Sequence, residues 1–361
     1  MSTSPLFSAA TVGALELPNR IVMAPMTRSR ADADHVPTDI MATYYAQRAD
    51  GGLLITEGIG PAPAGTGYPR IPGLYNADQV AAWRTVTDAV HAKGGRIFAQ
   101  LMHTGRVGHP LNLPEGAELL APSAVPLDGE MYTDQEGPQP HPTARAMTEA
   151  EVEEAVESFV TASRNAIAAG FDGVEIHGAN GYLVDQFLAP NTNLRTDRWG
   201  GDREGRTRFA LEVARRSAAA IGAERVGIRL SPYGVFNGIQ PWPGTDDDYI
   251  WLAGQLSALG LAYIHIVNHS SMGAPPVSEE VQLGIRDAFD GATILSGGYD
   301  RARADADLEA GKGDLVAFGR PYLANPDLVQ RLADGAALND PDFGTFYTPG
   351  PDGYTDYPTL S

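Results

Sequence analysis

Eight short apolar runs recur along the chain, most of them bounded by Gly, Pro or Asp. They are IVMAPM from Ile21, LLITEG from Leu53, RIFAQLM from Arg96, GVEIHG from Gly173, RVGIRL from Arg225, AYIHIV from Ala262, ATILSGG from Ala292 and DLVAFGR from Asp314. Near-continuous apolar stretches of this length suit parallel strands covered on the outside by helices. Polar segments with helical spacing lie between most of them. Val80, Trp83, Val86 and Val90 form one stripe within residues 76–93. A second helix is predicted over 148–169, opened by the capping box Thr148-x-x-Glu151 and closed at Gly170. Further helices are expected over 203–221, 246–259 and 327–332.

Strand–helix units in series predict an α/β fold, a (β/α)8 TIM barrel. A doubly wound open sheet carries the same local signals and stays open as the alternative. Residues 1–19 precede the first run and are expected to cap the barrel. Residues 103–147, rich in Pro and Gly, form a long excursion after the third strand, and such connections usually serve as lids or added subdomains. A single domain over 1–361 is the expected organisation.

Composition narrows the chemistry. The 361 residues carry 26 Lys+Arg against 45 Asp+Glu, a net charge of −19, which disfavours phosphate-rich nucleic acid as a partner. The absence of cysteine removes disulfides, thiolate metal sites and a thiol nucleophile. No basic residue precedes Arg20 and no run is long enough to span a membrane, so a cytoplasmic protein is expected.

In a barrel the active site lies at the C-terminal strand ends. Those positions here hold Thr27, Glu57-Gly58, Gln100, His177, Arg229, Gly297-Gly298 and Gly319-Arg320. No G-x-G-x-x-G follows a strand, and Walker, zincin and hydrolase-elbow motifs are missing. Glu57 and Glu175 could serve as the two carboxylates of a glycosidase, but Glu175 lies mid-strand and is expected to pair with a cation inside the barrel. The turns at Gly297-Gly298 and Gly319-Arg320 suit a phosphate site, although plain βα turns would read the same. His177, Asn180 and Tyr182 follow the fourth run. Two N–H donors converging on one oxygen would polarise a carbonyl or nitro group, and a nearby phenol could supply a proton.

At these residues the chain resembles the Old Yellow Enzyme family of FMN-dependent ene-reductases. The likeness rests on Ala24-Pro25-Met26-Thr27, on Gln100 to Arg106, on His177 to Asp197 and on Ala317-Phe318-Gly319-Arg320-Pro321, in this order. It implies a barrel holding non-covalent FMN, reduced by NADPH or NADH and re-oxidised by an activated alkene. By position, Pro25, Met26, Thr27, Gly58, Gln100 and Arg229 would surround the flavin ring, with Gly298, Gly319 and Arg320 on its phosphate. His177 and Asn180 would bind the substrate oxygen or a phenolic ligand, and Tyr182 would protonate the alkene. Tyr68, Met102 and Tyr347 would line the substrate cavity. Met102 stands where many members have Trp, so a wider and softer pocket is expected. A flavin carrier or sensor without alkene turnover is the competing expectation; it would need none of His177, Asn180 and Tyr182.

Overall fold

A computed structural model describes residues 4–360. The chain opens with an antiparallel hairpin, β1 (Ala10–Val12) and β2 (Leu15–Leu17). Strands β3 (Ile21–Met23), β4 (Leu53–Ile59) and β5 (Ile97–Leu101) follow. The excursion contributes β6 (Leu120–Ala121), β7 (Glu130–Thr133), β8 (Gly137–Pro140) and β9 (Arg145–Ala146). Then come β10 (Gly173–Gly178), β11 (Val226–Leu230), β12 (Tyr263–Val267), β13 (Ala292–Ser296) and β14 (Leu315–Phe318). The eight strands β3–β5 and β10–β14 pair in parallel, and β14 returns to β3 to close a barrel. Each of the eight apolar runs supplies one of them, and the open-sheet alternative falls.

Pairing sets where the strands stop. The first run ends as a strand at Met23, because Ala24 N–H still reaches Phe318 O (3.0 Å) whereas Pro25 has no N–H to give. β4 carries a bulge between Ile55 and Gly58, where Thr56 Oγ1 accepts the Gln100 N–H at 3.0 Å in place of a ladder bond. The bulge directs Glu57 away from the lumen, onto the backbone N–H groups of Arg28 and Ser29 (3.2 and 3.3 Å). Burial pushes that carboxyl up to about 7. It therefore organises the loop after β3 and is no partner for Glu175.

Helices cover the outside. Those at Ala77–His91, Glu149–Ala168 and Arg203–Ile221 start on caps from Asn76, Thr148 and Asp202, the second with a complete capping box. Another runs over Thr245–Ser257. The helix near the chain's end spans Leu328–Asp334, starting one residue later and ending two residues later than the predicted 327–332. Helices Asp39–Ala46, Glu279–Ala288 and Arg301–Glu309 complete the ring.

The barrel interior is layered. Phe98 and Tyr263 lie in the lower layer, their ring centroids 5.8 Å apart. Gly173 and Gly227 face them, and a Cβ on either glycine would lie within 2.4 Å of a ring atom. Val12 and Leu17 of the hairpin join this buried apolar cluster, closing the N-terminal end. The excursion folds over the opposite end. The Arg106 guanidinium donates to the carbonyls of Val125, Pro126 and Asn237, and Asn112 Nδ2 donates to Gly67 O and Tyr132 O.

The segment at 345–354 is strapped back across the top. Arg30 donates to the carbonyls of Thr345, Phe346, Gly350 and Asp352, and Arg28 to those of Phe346 and Gly353. Arg70 adds a bond to Tyr347 O at 2.8 Å. No helix among the described residues is long and apolar enough to cross a membrane.

Candidate active site

A cavity of about 490 Å³ opens at the C-terminal ends of the barrel strands, within the ~300–1,000 Å³ common for small-ligand sites. Pro25, Met26, Thr27, Gln100, Met102, His177, Asn180, Tyr182 and Arg229 lie on its walls. So do Gly298, Gly319, Arg320 and Tyr347. Two expected residues are absent from those walls. Gly58 sits behind Met102, whose sulfur would be 2.5 Å from a Cβ there. Tyr68 stands behind Tyr182, with the two hydroxyls 3.0 Å apart.

The polar floor is built two residues above the lower layer. Glu175 accepts from Gln100 Nε2 (2.8 Å) and from His265 Nδ1 (2.9 Å), all three buried. His177, Arg229 and His265 are cross-strand neighbours on β10, β11 and β12. Glu175 thus pairs with a histidine and an amide. The expected cation is Arg229, which acts on Glu175 through its charge, without a hydrogen bond between them. Burial holds Arg229 below the ordinary guanidinium range, with Glu175 opposing; a guanidinium stays charged nonetheless. Its Nε has no hydrogen-bond partner, and neither has His177 Nδ1. Burial, then the charge of Arg229, holds His177 well below its usual range, so its imidazole is neutral.

Beyond β10 the chain turns sharply to aim Asn180 and Tyr182. Asn180 and Gly181 adopt φ of 62° and 76°, and a Cβ at Gly181 would meet the Phe236 carbonyl at 2.5 Å. Side chains from several elements hold this turn. Ser231 Oγ accepts the Asn180 N–H (3.0 Å), and Asn237 Nδ2 donates to Asn180 O (2.7 Å). Asp185 accepts the Gly181 N–H (2.9 Å), and Gln186 donates to Gly181 O (2.7 Å). Burial lifts Asp185 to about 7 against the pull of Gly181, Tyr249 and Ser231. Asn180 Oδ1 accepts from His269 Nε2 at 2.6 Å. The Tyr182 hydroxyl is pushed above its ordinary range by burial, with the bond from Tyr68 opposing, so it stays protonated.

The far end of the cavity is made of backbone. Gly297 and Gly298 have φ of 131° and 65°, and Ser271 approaches a Cβ position on Gly298 to 2.8 Å. The Arg320 guanidinium lies 5.3 Å from the Phe343 ring centre and makes no ion pair among the described residues. A glycine-lined end beside an unpaired cation, and a polar end with two orphaned donors, fit an elongated ligand carrying a phosphate and a heteroaromatic ring.

Several contributors escaped the sequence reading, among them two histidines, a serine and a phenylalanine. His265 and His269 sit in and just after an apolar run, where a single imidazole gives no periodic signal. Ser271 and Phe346 also line the cavity, from loops without a motif.

The comparisons agree with this geometry. A family model described as the NADH:flavin oxidoreductase / NADH oxidase family matches residues 5–339. A chanoclavine-I aldehyde reductase from Penicillium roqueforti is 45% identical, covering 98% of this chain and 95% of that protein. A probable flavin mononucleotide-dependent alkene reductase from Leishmania infantum is 42% identical, covering 97% and 96%. The solved structure of morphinone reductase superimposes with a TM-score of 0.95 at 44% identity, covering 100% of this chain and 98% of that one.

Proposed function

This chain belongs to the NADH:flavin oxidoreductase / NADH oxidase family, the Old Yellow Enzyme family, and from that premise we propose that it reduces activated alkenes with His177, Asn180 and Tyr182 as its reacting groups. It is an NAD(P)H-dependent flavin oxidoreductase with FMN as cofactor. Bound FMN supplies the redox chemistry, moving a hydride from a nicotinamide to a small-molecule substrate.

The chain's own residues supply the rest. Gly298, Gly319 and Arg320 would hold the phosphate, and Pro25, Met26, Thr27 and Gln100 would frame the ring. Arg229 would set a fixed positive charge beside a bound flavin ring and so favour the negative charge that reduction adds. His177 and Asn180 present N–H donors to the oxygen of an enone, enal, maleimide or nitroalkene, drawing charge away from its double bond. Tyr182 holds a proton for the carbon next to that activating group, and Tyr68 fixes its hydroxyl. Met102 forms an adaptable wall, and Phe346 and Tyr347 cover the opening.

The observation that carries this reading is the convergence of His177, Asn180 and Tyr182 on one cavity with Arg229. A carrier or sensor leaves the first three without a task. Anaerobic titration of the yellow protein with NADPH or NADH, followed by 2-cyclohexenone, tests it. Bleaching by the nicotinamide and return of colour with the enone are expected. Return of colour only on admitting oxygen would refute alkene turnover.

A further inference from the structure

Asn180 faces the cavity with a side chain that can present either polarity. Its Nδ2 donates and its Oδ1 accepts, and a half-turn about the last torsion exchanges them. That torsion is broad and intrinsically two-fold, so the residue alone does not choose. The reading of this site needs the donor turned inward, because an oxygen facing Oδ1 would be repelled.

His269 is placed to make the choice. Its Nε2 lies 2.6 Å from Asn180 Oδ1. Its ring meets the Phe236 ring edge to face, with centroids 4.6 Å apart and planes at 68°. Phe236 in turn crowds Gly181 through its carbonyl, and Asn237 holds Asn180 O. The backbone of Asn180 is thereby pinned from the loop after β11, and its carboxamide from the loop after β12. Burial and the nearby Arg229 keep His269 neutral, with a pKa of about 4. A neutral imidazole has one N–H, and the contact to Oδ1 puts it on Nε2.

We propose that His269 is a positioning residue that donates Nε2–H to Asn180 Oδ1 and thereby turns the Asn180 Nδ2 donor into the cavity, making the oxygen site selective for hydrogen-bond acceptors. The inference rests on the oxygen site assigned to His177 and Asn180 above. It predicts that the site prefers phenolates and carbonyl oxygens over neutral hydroxyl donors, a preference lost when His269 can no longer donate.

The test uses the FMN-loaded protein and p-chlorophenol. Binding is followed by the long-wavelength charge-transfer absorbance and independently by calorimetry. His269→Phe keeps an aromatic ring against Phe236 but removes the donor. It should weaken phenolate binding about tenfold, the effect of one lost orienting hydrogen bond. It should also raise the apparent pKa of the bound phenol, and KM for 2-cyclohexenone more than it lowers kcat. His269→Gln restores an N–H donor and should recover part of the affinity. In an Asn180→Ala background, His269→Phe should change phenolate affinity by less than about twofold, because nothing is left to orient. Equal weakening in both backgrounds, or none in either, would overturn the proposal. A wild-type protein with no phenolate band would overturn the oxygen site itself, and the inference with it. A band indifferent to His269 overturns the inference alone.

Discussion

Four strands pass through both ends of the barrel, and two residues separate their inward positions. Near the hairpin these are Phe98, Gly173, Gly227 and Tyr263; further along they are Gln100, Glu175, Arg229 and His265. Below, rings fill the space that glycines leave, and Val12 and Leu17 seal the layer. Above, Glu175 gathers Gln100 and His265, while nitrogens of Arg229 and His177 are left without a hydrogen-bond partner. The lower layer gains stability from apolar area removed from water. The upper layer surrenders some, since buried charge costs free energy unless it is paired. Stability and chemistry thus occupy successive inward positions of the same strands.

The sharpest break between the two is expected at Tyr182. Tyr182→Phe should slow reduction of 2-cyclohexenone by about 10²–10⁴-fold, the usual contribution of a positioned acid. Reduction of the protein by NADPH or NADH and the unfolding midpoint should barely move. Stopped-flow of each half-reaction decides this, and equal slowing of both would make Tyr182 a shaping residue.

Phe98→Ala should do the reverse. Emptying the lower layer should cost about 3–5 kcal/mol in urea unfolding, with kcat for the enone unchanged in the folded protein. Because burial holds the phenol of Tyr263 in that layer well above its ordinary range, the loss should be the same from pH 5 to pH 8.

Asp185 offers a smaller effect with a distinct pH signature. Its folded pKa of about 7 lies above the ordinary value near ~3.9. Between those values the folded state keeps a proton that the unfolded chain has released. Its contribution is therefore most favourable below about pH 4 and declines as pH rises through 7. Asp185→Asn abolishes that decline. The stability of the variant relative to wild type should climb from pH 4 to pH 7 and then level off. A flat difference would mean that the carboxyl ionises normally.

Met102→Trp should have the least effect. It should lower kcat/KM for bulky enones relative to 2-cyclohexenone by several-fold, leaving reduction by the nicotinamide intact. An indole is larger than a thioether and cannot reshape itself. Unchanged ratios would place Met102 away from substrate.

All eight barrel strands were legible because each is buried on both faces and reads as one apolar run. The runs alone left the barrel's closure open against a doubly wound sheet, since closure depends on β14 meeting β3 across the whole chain, and the resemblance supplied it. The capped helices Ala77–His91, Glu149–Ala168 and Arg203–Ile221 were found, whereas Glu279–Ala288, capped by Ser278, was missed. The one at Arg301–Glu309, with only Ala304 and Leu308 buried, has almost no stripe to read. Local motif also found the residues that face the cavity. What holds them lies far off in sequence: Ser231 and Asn237 for Asn180, Tyr68 for Tyr182, His269 for the carboxamide. Such partners leave no periodic trace. Gly58 and Tyr68 were placed on the wall by resemblance, and the side chains of Met102 and Tyr182 stand in front of them.

The arginine strap over residues 345–354 has a consequence for how such a site can diversify. Arg28, Arg30 and Arg70 grip that segment chiefly by its carbonyl oxygens; Arg28 also lies over the Phe346 ring, whereas Arg70 reaches Tyr347 through its carbonyl. Every residue type carries the same carbonyl. Tyr347 can therefore be exchanged for larger, smaller or more polar residues while the roof keeps its path, whereas Phe346 carries the Arg28 and Phe343 contacts. Libraries randomised at Tyr347 should retain folded, flavin-binding members at high frequency, and selection for new substrates should find its first gains there.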